Sequence, residues 1–520
     1  MMTPTPHRYP TLLVYDILFR VFFYLGEFKG TLRSAGLVCQ AWYEPAMDVL
    51  WAENIFLHHL LAILSPMEIK GDGWRNIAFF TRPPTPQSWS RFRFLAQKVK
   101  QATLQSPALD PTLVSELLSK SAHSGPLLPS VRRLVLHTEN IRHALMWMHS
   151  AVDSLEFFQV TEGRDGIEWD MEMSEFVAEM ARLCPNLKTL EIGGKGAVAE
   201  TVSIGGLRNL RTVDLGEGDV TAVFLELAKL PAVERLIIHT LPNLPLQWPQ
   251  SGVTPFPKLE VLNIYYPSNS ETATFLHTLA EGESHLRELG LGDDGDLDDL
   301  GAIIRAAGKH RYLERIEIYA YDDTTALSLD TLTPILSCGF LIDLKLYFNG
   351  DVSMVDEDLA TLGHGLPKLV HFVLEGHTSS STLTLRALSI AVTVWPSLET
   401  LSLKVDTSGP LPSENHTPHM HLRMLHLSYS HEPKVPMEMA SFIAGLSDAD
   451  GFQLICHARG PWRQVVELLP EMRKERLEVK SKGTAQGFMM AFWSRFLNSA
   501  SEGADQKALE SNLLWGYRIA

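Results

Sequence analysis

The sequence has few cysteines, no long hydrophobic run and an excess of acidic residues. Its 520 residues include only Cys39, Cys184, Cys338 and Cys456, and none of them forms a C-x-x-C pair. Each lies beside apolar residues, so we expect small buried thiols and a reducing compartment, the cytoplasm or the nucleus. No window approaches the roughly 18 continuous apolar residues of a membrane span. No apolar segment typical of a signal peptide follows the first residues, so we expect neither a membrane span nor a signal peptide.

Basic residues are outnumbered by acidic ones. Lys and Arg total 45 and Asp and Glu total 61, which gives a formal net charge of -16 at pH 7. This charge opposes binding to a phosphate backbone, so we expect no nucleic-acid partner. An acidic balance also favours the solubility of a long exposed chain.

Motifs that carry chemistry are missing as well. Gly193–Gly196 lacks the spacing and the Lys-Ser/Thr ending of a phosphate loop, and no G-x-S-x-G occurs. Asp293–Asp299 lacks the spaced ligands and the closing Glu of a calcium loop. His416, His419 and His421 have no second ligand cluster, which favours a polar loop over a metal site. The sequence therefore predicts no enzyme active site, no metal and no cofactor.

A short apolar pattern recurs over most of the chain. In one copy, Leu341, Leu344 and Leu346 are followed by Asn349, which is the pattern L-x-x-L-x-L-x-x-N. Alternating apolar residues predict a strand, and one such strand cannot form a core alone. Many copies at a fixed period predict a solenoid, in which each unit buries its apolar face against its neighbours.

The spacing of the copies resembles that of the leucine-rich-repeat family, whose period is about 20–29 residues. From Leu187 onward neighbouring copies start 23 to 29 residues apart. The pattern leaves open an ordinary α/β sheet of alternating strands and helices. The copies are Val131–Leu136, Val152–Phe158, Leu187–Ile192, Leu210–Leu215, Val233–Ile238, Leu259–Ile264, Leu286–Leu291, Leu313–Ile318, Leu341–Leu346, Leu369–Leu374, Leu398–Leu403 and Leu422–Leu427, with degenerate copies at Leu454–Ala458 and Leu477–Lys480.

Helical apolar spacing separates the predicted strands, and proline commonly precedes the next strand, as in Cys184-Pro185. The residue before a proline favours extended geometry, which helps to end a helix. The predicted fold class is therefore α/β, a curved right-handed solenoid with parallel strands on its concave face and helices on its convex face. The predicted helices are Met173–Leu183, Val220–Leu230, Glu271–Glu281, Leu297–Ala307, Val355–Gly363 and Thr384–Val394.

The N-terminal block predicts three further helices. Thr11–Leu25 carries apolar residues at helical spacing and Gly26 ends it. A second helix begins near Thr31, a suitable N-cap, and continues through Trp42. Pro45 fits the first turn of a third helix.

These residues resemble the F-box, a three-helix module. The resemblance is carried by Asp16–Leu25, Leu32–Trp42 and Glu44–Trp51, although the family's usual Leu-Pro start is replaced by Leu13-Val14. It implies binding to the Skp adaptor and, through it, to a cullin scaffold. The alternative is a helical cap packed on the first repeat. Residues assigned by resemblance to the adaptor side or its immediate support are Leu13, Ile17, Leu18, Val21, Leu32, Val38 and Trp42.

The chain is thus predicted to have four regions. Ser65–Ser90 contains several prolines and glycines, which break regular elements, so we expect part of this stretch to be a poorly ordered loop. Phe488–Leu497 is apolar and aromatic, as expected of a cap on the last repeat. The regions are 8–55, the F-box; 56–95, a helical and proline-rich linker; 96–480, the leucine-rich-repeat solenoid; and 481–520, a C-terminal cap and tail.

Residues between the core positions of each strand are expected on the concave face. Tyrosines recur there in nearby repeats, and exposed tyrosines are enriched at binding hot spots. Acidic residues recur in the following loops. We expect a tyrosine-lined groove with an acidic rim that binds a basic segment of a target, the alternative being scattered tyrosines and solvated loop charges. The residues assigned to it are Tyr265, Glu317, Tyr319, Tyr347, Asp294, Asp296 and Asp323.

Together the two resemblances imply a substrate receptor of a Skp–cullin–F-box ubiquitin ligase. The chain would hold an unknown target protein near the conjugating enzyme, and the covalent chemistry would belong to other subunits. The alternative is a leucine-rich scaffold that does not engage a ligase.

Overall fold

The computed structural model divides the chain into two compact units. The first comprises Met1–Leu313 with Ile318–Ala320, and the second comprises Glu314–Glu317 with Tyr321–Ala520. The residues described are 11–53, 55–71, 77–104, 108–138, 141–159, 173–193, 204–216, 221–241, 254–267, 269–282, 284–292, 300–320, 327–348, 350, 352–376, 381–412, 417–427, 430–456 and 460–481.

The first unit alternates helices and strands. Its helices are α1 (Thr11–Tyr24), α2 (Lys29–Gly36), α3 (Gln40–Ala52), α4 (Leu57–Leu61), α5 (Pro86–Ala96), α6 (Pro111–Ser124), α7 (Ile141–Leu145), α8 (Met173–Leu183), α9 (Thr221–Leu227), α10 (Asn269–Glu281) and α11 (Leu300–Ala307). Its strands are β1 (Ile55–Phe56), β2 (Met67–Lys70), β3 (Ile77–Phe80), β4 (Gln101–Leu104), β5 (Ala108–Leu109), β6 (Arg133–Thr138), β7 (Ser154–Gln159), β8 (Thr189–Gly193), β9 (Thr212–Leu215), β10 (Arg235–Thr240), β11 (Val261–Tyr266) and β12 (Glu288–Leu291).

The main sheet of the first unit is parallel, with the strand order β1-β4-β6-β7-β8-β9-β10-β11-β12. The leucine pattern is in register from strand to strand, so that Leu236 lies opposite Val213 and Leu262. Each strand begins about two residues after the first apolar residue of its copy. That residue closes a turn instead, as when the Leu210 N–H donates to the Leu207 carbonyl.

The prediction that prolines and glycines break every regular element in residues 65–90 is wrong, because the described part contains two strands and the start of α5. Strand β2 pairs antiparallel with β3, and β3 pairs parallel with β5. The prolines serve to start α5 rather than to break it. Pro86 opens the helix after Thr85, whose side chain accepts from the Ser88 N–H in a capping box.

The second unit continues the same alternation. Strand β13 (Arg315–Ala320) contributes residues to both units. The strands that follow are β14 (Asp343–Phe348), β15 (His371–Gly376), β16 (Thr400–Leu403), β17 (Met424–His426) and β18 (Gln453–Ile455), all paired in parallel and in that order. The helices are α12 (Leu329–Leu332), a 3-10 turn (Thr333–Ser337), α13 (Asp356–Gly365), α14 (Leu385–Val394), α15 (Pro436–Leu446) and α16 (Gly460–Ser481).

The predicted strands are confirmed from Val131 to Leu427, and the degenerate copy at Leu454 forms β18. The copy predicted at Leu477–Lys480 is wrong, because these residues belong to α16. Its neighbours in the sequence are mostly Glu, Arg, Lys and Met, which lose little side-chain entropy in a helix. The predicted cap at Phe488–Leu497 lies outside the described residues.

The helices cover one face of each unit's sheet. Phe157 of β7 packs on Phe176 of α8 with ring centroids 4.7 Å apart, and Phe372 of β15 packs on Trp395, directly after α14, at 4.8 Å. The apolar strand residues are buried in this layer, whereas the alternate residues of most strands are only partly buried. We call the face of each unit's sheet that carries these partly buried alternate residues the open face. No helix within the described ranges has the length and apolar character needed to cross a membrane.

The cysteine prediction holds for two positions and fails at a third. Cys184 and Cys338 are buried, and burial raises the pKa of the Cys184 thiol to about 12 and that of Cys338 to about 11. Cys39 is exposed; it lies between α2 and α3, with extended backbone geometry directly before α3. Cys456 is partly buried, just after β18.

Candidate protein-interaction surfaces

The three N-terminal helices share a small core. Phe22 of α1, Leu32 and Ala35 of α2 and Ala46 of α3 are buried together. Partly buried apolar residues surround them: Leu18, Leu25, Val49 and Leu50. Because so few side chains are buried in this core, most of the apolar surface of the three helices is not covered by the helices themselves.

The second helix is shorter than predicted. It begins at Lys29 after Phe28, not at Thr31, and it ends at Gly36. Leu37 and Val38 form a turn, Cys39 is extended and α3 then starts at Gln40, so the prediction of one helix through Trp42 is wrong. Pro45 lies inside α3 rather than in its first turn. Leu37 and Val38, which lie between α2 and α3, are exposed to solvent.

An exposed apolar surface covers these helices. Ile17, Val21 and Tyr24 lie at i, i+4 and i+7 on one side of α1, and Val21 is 50% exposed. Val38, between α2 and α3, is 65% exposed. The ring of Trp42 meets Phe22 edge-on at 5.5 Å yet remains 37% exposed. We call this set the helical patch; its exposed members are Ile17, Val21, Phe23, Tyr24, Phe28, Leu37, Val38, Trp42 and Tyr43.

Four of the seven residues assigned to the adaptor side belong to the helical patch: Ile17, Val21, Val38 and Trp42. Leu18 is partly buried against the core, and Leu32 is buried within it, which is a supporting position. Leu13 lies in α1, but its side chain is outside the described part. So many exposed large apolar side chains on three short helices are typical of a protein-binding site.

The three helices are attached to the first strand of the sheet. Ile55 and Phe56 follow α3 and pair with Ala102 and Thr103 of β4. The Lys100 N–H donates to the Ala52 carbonyl at 2.8 Å. The block is therefore continuous with the sheet through backbone hydrogen bonds.

Asp48 adds a side-chain connection at the same place. Its carboxylate accepts from the Tyr15 hydroxyl of α1 and forms an ion pair with Lys98, which follows α5. Burial, with the adjoining Asp48 carboxylate, raises the pKa of Tyr15. One carboxylate thus joins α1, α3 and the segment that leads into β4.

The predicted target-binding residues fall on both units. Tyr265 is 45% exposed on the open face of the first unit, and Tyr319 is partly buried in the part of β13 that belongs to that unit. Glu317 and Tyr347 belong to the second unit, where Lys345 lies 4.0 Å from Glu317 and 3.1 Å from Asp343. Asp294, Asp296 and Asp323, the predicted acidic rim, lie outside the described residues.

A row of carboxylates on the open face of the first unit was not singled out from the sequence. Glu156, Glu191 and Asp214 lie directly opposite one another on β7, β8 and β9. Burial raises the pKa of Glu191, with further increases from Asp214 and Glu156. Burial also raises the pKa of Asp214. Aligned outward positions of successive repeats place Glu191 and Asp214 in one column, and the register of β7 with β8 adds Glu156.

The open face of the second unit holds a serine, a histidine and a glutamate in contact. Ser402 Oγ donates to Glu375 Oε1 at 2.6 Å, and His426 Nδ1 lies 2.5 Å from the same oxygen. Ser402 Oγ is 2.9 Å from that same Nδ1. A nucleophile–base pair needs one ring nitrogen facing the serine and the other facing the carboxylate. Here one nitrogen meets both partners, so the cluster joins β15, β16 and β17 without activating the serine.

His419, one of the three histidines considered as a metal ligand, is buried and hydrogen-bonded to backbone. Its Nδ1 accepts from the His421 and Leu422 N–H groups, and its Nε2 lies 2.8 Å from the Trp395 carbonyl. Burial lowers the pKa of His419. Within the described ranges no group of three or more His, Cys, Asp or Glu side chains is placed to hold a metal ion.

Comparison of the sequence with models of protein families and with curated proteins finds no match.

Proposed function

We propose that this chain is the substrate-recognition subunit of a Skp–cullin–F-box ubiquitin ligase, acting in the cytoplasm or nucleus. In this proposal α1–α3 are an F-box that binds the Skp adaptor and, through it, a cullin scaffold. The remaining chain is a curved right-handed leucine-rich-repeat solenoid whose open face binds a target protein. The target is then held near the conjugating enzyme, which raises its effective concentration there.

The helical patch is the observation that supports this proposal most. Its residues are exposed although a small core lies directly beneath them. Their exposure has a cost in water that contact with a partner would remove. The connection of α3 to the sheet through β1 also supports it, since a receptor must hold its target in a defined place relative to the adaptor.

The alternative, a scaffold that engages no ligase, requires the open face but not the helical patch. Binding of the purified full-length chain to the purified Skp adaptor separates the two. The informative variant carries Val21→Asp and Val38→Asp, because both side chains are exposed and the substitutions leave the core intact. An unpaired charge buried at an apolar interface should weaken binding by about 100-fold or more.

The matched control carries Leu118→Asp and Val466→Asp. These residues are likewise exposed and apolar, but they lie on α6 and α16. We expect the control to bind the adaptor as the parent does. Failure of the parent to bind, or equal binding by both variants, would remove the ligase proposal and leave the scaffold alternative.

A further inference from the structure

Two aromatic pairs stand on the open face of the first unit. In the first, the rings of His137 and Phe158 stack with centroids 4.8 Å apart and planes 14° apart. In the second, His239 lies against Tyr265 with centroids 4.8 Å apart. The pairs belong to β6 and β7 and to β10 and β11, so strands β8 and β9 separate them.

Glycine occupies both of the intervening positions. Gly193 is opposite Phe158, and a Cβ there would come within 2.5 Å of Phe158 Cδ1, so the aromatic ring lies over Gly193. Gly216 follows β9, and its N–H donates to the Ile192 carbonyl at 2.7 Å. Bare backbone therefore lies between the Phe158 ring and His239. Neighbouring strands are about 4.8 Å apart, and the register places Gly216 between His239 and Gly193, over which the Phe158 ring lies. We call Phe158, Gly193, Gly216 and His239 the aromatic slot.

The carboxylate row borders this slot. Glu156, Glu191 and Asp214 each lie two residues before a slot position on the same strand, so they share its face. Glu156 is engaged by Arg133, whose Nε lies 2.7 Å from Glu156 Oε1. Neither Glu191 nor Asp214 forms an ion pair or side-chain hydrogen bond with another residue of the described ranges.

Arg133 and His239 partly offset the negative charges of Glu191 and Asp214, but Arg133 forms its ion pair with Glu156. Positive charge supplied by a partner would therefore stabilise the two ionised carboxylates further. Burial raises the pKa of both carboxyl groups, and the adjoining Asp214 and Glu156 raise that of Glu191 further. His239 offers a further unused group, since its buried Nδ1 has no hydrogen-bond partner among the described residues. Aromatic rings beside carboxylates match the two sides of a guanidinium group, which stacks through its plane and donates through its edge.

We propose that this face binds a basic segment of a partner protein, with an arginine side chain crossing the aromatic slot and its guanidinium donating to Glu191 and Asp214. Lysine fits less well, because its ammonium is a point charge that neither stacks nor donates as a planar fork. The assignment of arginine-containing segments as the target class depends on the proposed receptor function. The binding itself does not, and it can be measured without the adaptor.

The test uses the full-length chain and two short fluorescent peptides, oligo-arginine and oligo-lysine of equal length. We expect the arginine peptide to bind more tightly to the parent. A variant with Glu191→Gln and Asp214→Asn should lose about tenfold or more in affinity for it, because charge-assisted hydrogen bonds are lost. Phe158→Leu keeps an apolar side chain but removes the ring, and should weaken the arginine peptide about threefold.

The control variant carries Glu175→Gln and Glu281→Gln. It changes the net charge equally, but on helices α8 and α10. Because the chain has a net charge of -16, some non-specific attraction of both peptides is expected, and this control measures it. Equal affinities of the two double variants would overturn the proposal, as would an equal affinity of the parent for both peptides.

Measuring how the Glu191→Gln, Asp214→Asn variant binds the Skp adaptor separates the proposed ligase function from the proposed arginine binding. This variant leaves α1–α3 untouched, so it should bind the adaptor as the parent does. A parent that binds arginine peptide through the slot but not the adaptor would contradict the ligase function alone. A parent that binds the adaptor but shows no preference for the arginine peptide would contradict the arginine slot alone.

Discussion

Three histidines connect successive repeats through the same arrangement. The Nε2 atoms of His149, His310 and His419 lie 2.8, 2.9 and 2.8 Å from the carbonyls of Leu128, Leu276 and Trp395. A carbonyl only accepts, so each ring must carry its proton on Nε2 and leave Nδ1 as an acceptor. Burial lowers the pKa of all three. Sequence alone marks these residues only as histidines near turns, because their role depends on carbonyls 21 to 34 residues away.

The neutral state of His310 predicts a pH-dependent stability. Its pKa is lowered by folding, so its contribution is complete above the unfolded pKa of about 6.5 and is lost as pH falls towards the folded pKa. His310→Ala removes the hydrogen bonds of the ring to the Leu276 carbonyl and to the Ser284 hydroxyl in a buried place, and should cost about 1–3 kcal/mol at pH 7.5. Urea unfolding at pH 7.5 and pH 5.5 should give a smaller difference between parent and variant at the lower pH. An unchanged difference would contradict a neutral buried His310.

The carboxylate row predicts a substitution that stabilises the chain. Folding raises the pKa of Asp214, so its contribution is present below the unfolded pKa and is lost as pH rises through the folded pKa. Asp214→Asn should therefore increase the free energy of unfolding at pH 7 by about 0.2–1 kcal/mol, as for like charges directly opposite in a sheet. The gain should shrink at pH 4. Asp153→Asn is the control, because Asp153 lies 3.8 Å from Lys188 and its loss should not stabilise.

At the scale of single elements, the short strand β1 has a larger role than its length suggests. It consists of Ile55 and Phe56, directly after α3, and it pairs with β4. Asp48 joins the same helix to Tyr15 and Lys98. The helical block is therefore packed on the first unit's sheet rather than joined to it by the predicted linker alone.

This connection predicts a large effect of Asp48→Ala. The substitution leaves Lys98, whose side chain is only 16% exposed, without its carboxylate. We expect a loss of about 1–3 kcal/mol in the free energy of unfolding and faster hydrogen exchange in α1–α3. Glu44→Ala, an exposed substitution on the same helix, should change neither quantity measurably. Equal effects of the two substitutions would show that Asp48 does not hold the block.

An element could be predicted from the sequence where neighbouring residues determine it, and could not where packing or pairing with distant residues does. The repeat strands follow from leucines a few residues apart, and their prediction is confirmed. The end of α2 at Gly36 depends on how Leu32 and Ala35 pack against Phe22, which the periodicity of the sequence does not contain. The strands β2 and β3 are formed by pairing of β3 with β2 and with β5. Such pairing cannot be seen in the sequence, so the nearby prolines wrongly predicted that no regular element forms there.

The two candidate surfaces differ in the same way. The helical patch could be predicted in part, since an excess of apolar residues in a short segment is visible in the sequence. Ile17, Val21, Val38 and Trp42 are exposed as a partner-binding role requires, but the burial of Leu32 becomes clear only in three dimensions. The carboxylate row needs the register between β7, β8 and β9, because the copies Val152–Phe158 and Leu187–Ile192 are separated by an irregular interval.

At the scale of the whole first unit, cooperativity should be limited by the repeat architecture. Each strand of the main sheet pairs only with the strands beside it, so a defect should propagate by nearest neighbours. Leu236 is fully buried on β10, opposite Val213 and Leu262, and Leu236→Ala should cost about 2–5 kcal/mol. Hydrogen exchange should become faster in β9, β10 and β11 and remain unchanged in β4 and β6.

Ile237→Ala is the matched control for this experiment, because Ile237 lies on the same strand with its side chain on the partly exposed open face. It should cost less and leave exchange in β9 and β11 close to that of the parent. If Leu236→Ala instead increased exchange equally from β4 to β12, the unit would open all at once. The sum of local repeat energies would then fail to describe it, and the strands would have to be coupled through contacts beyond their neighbours.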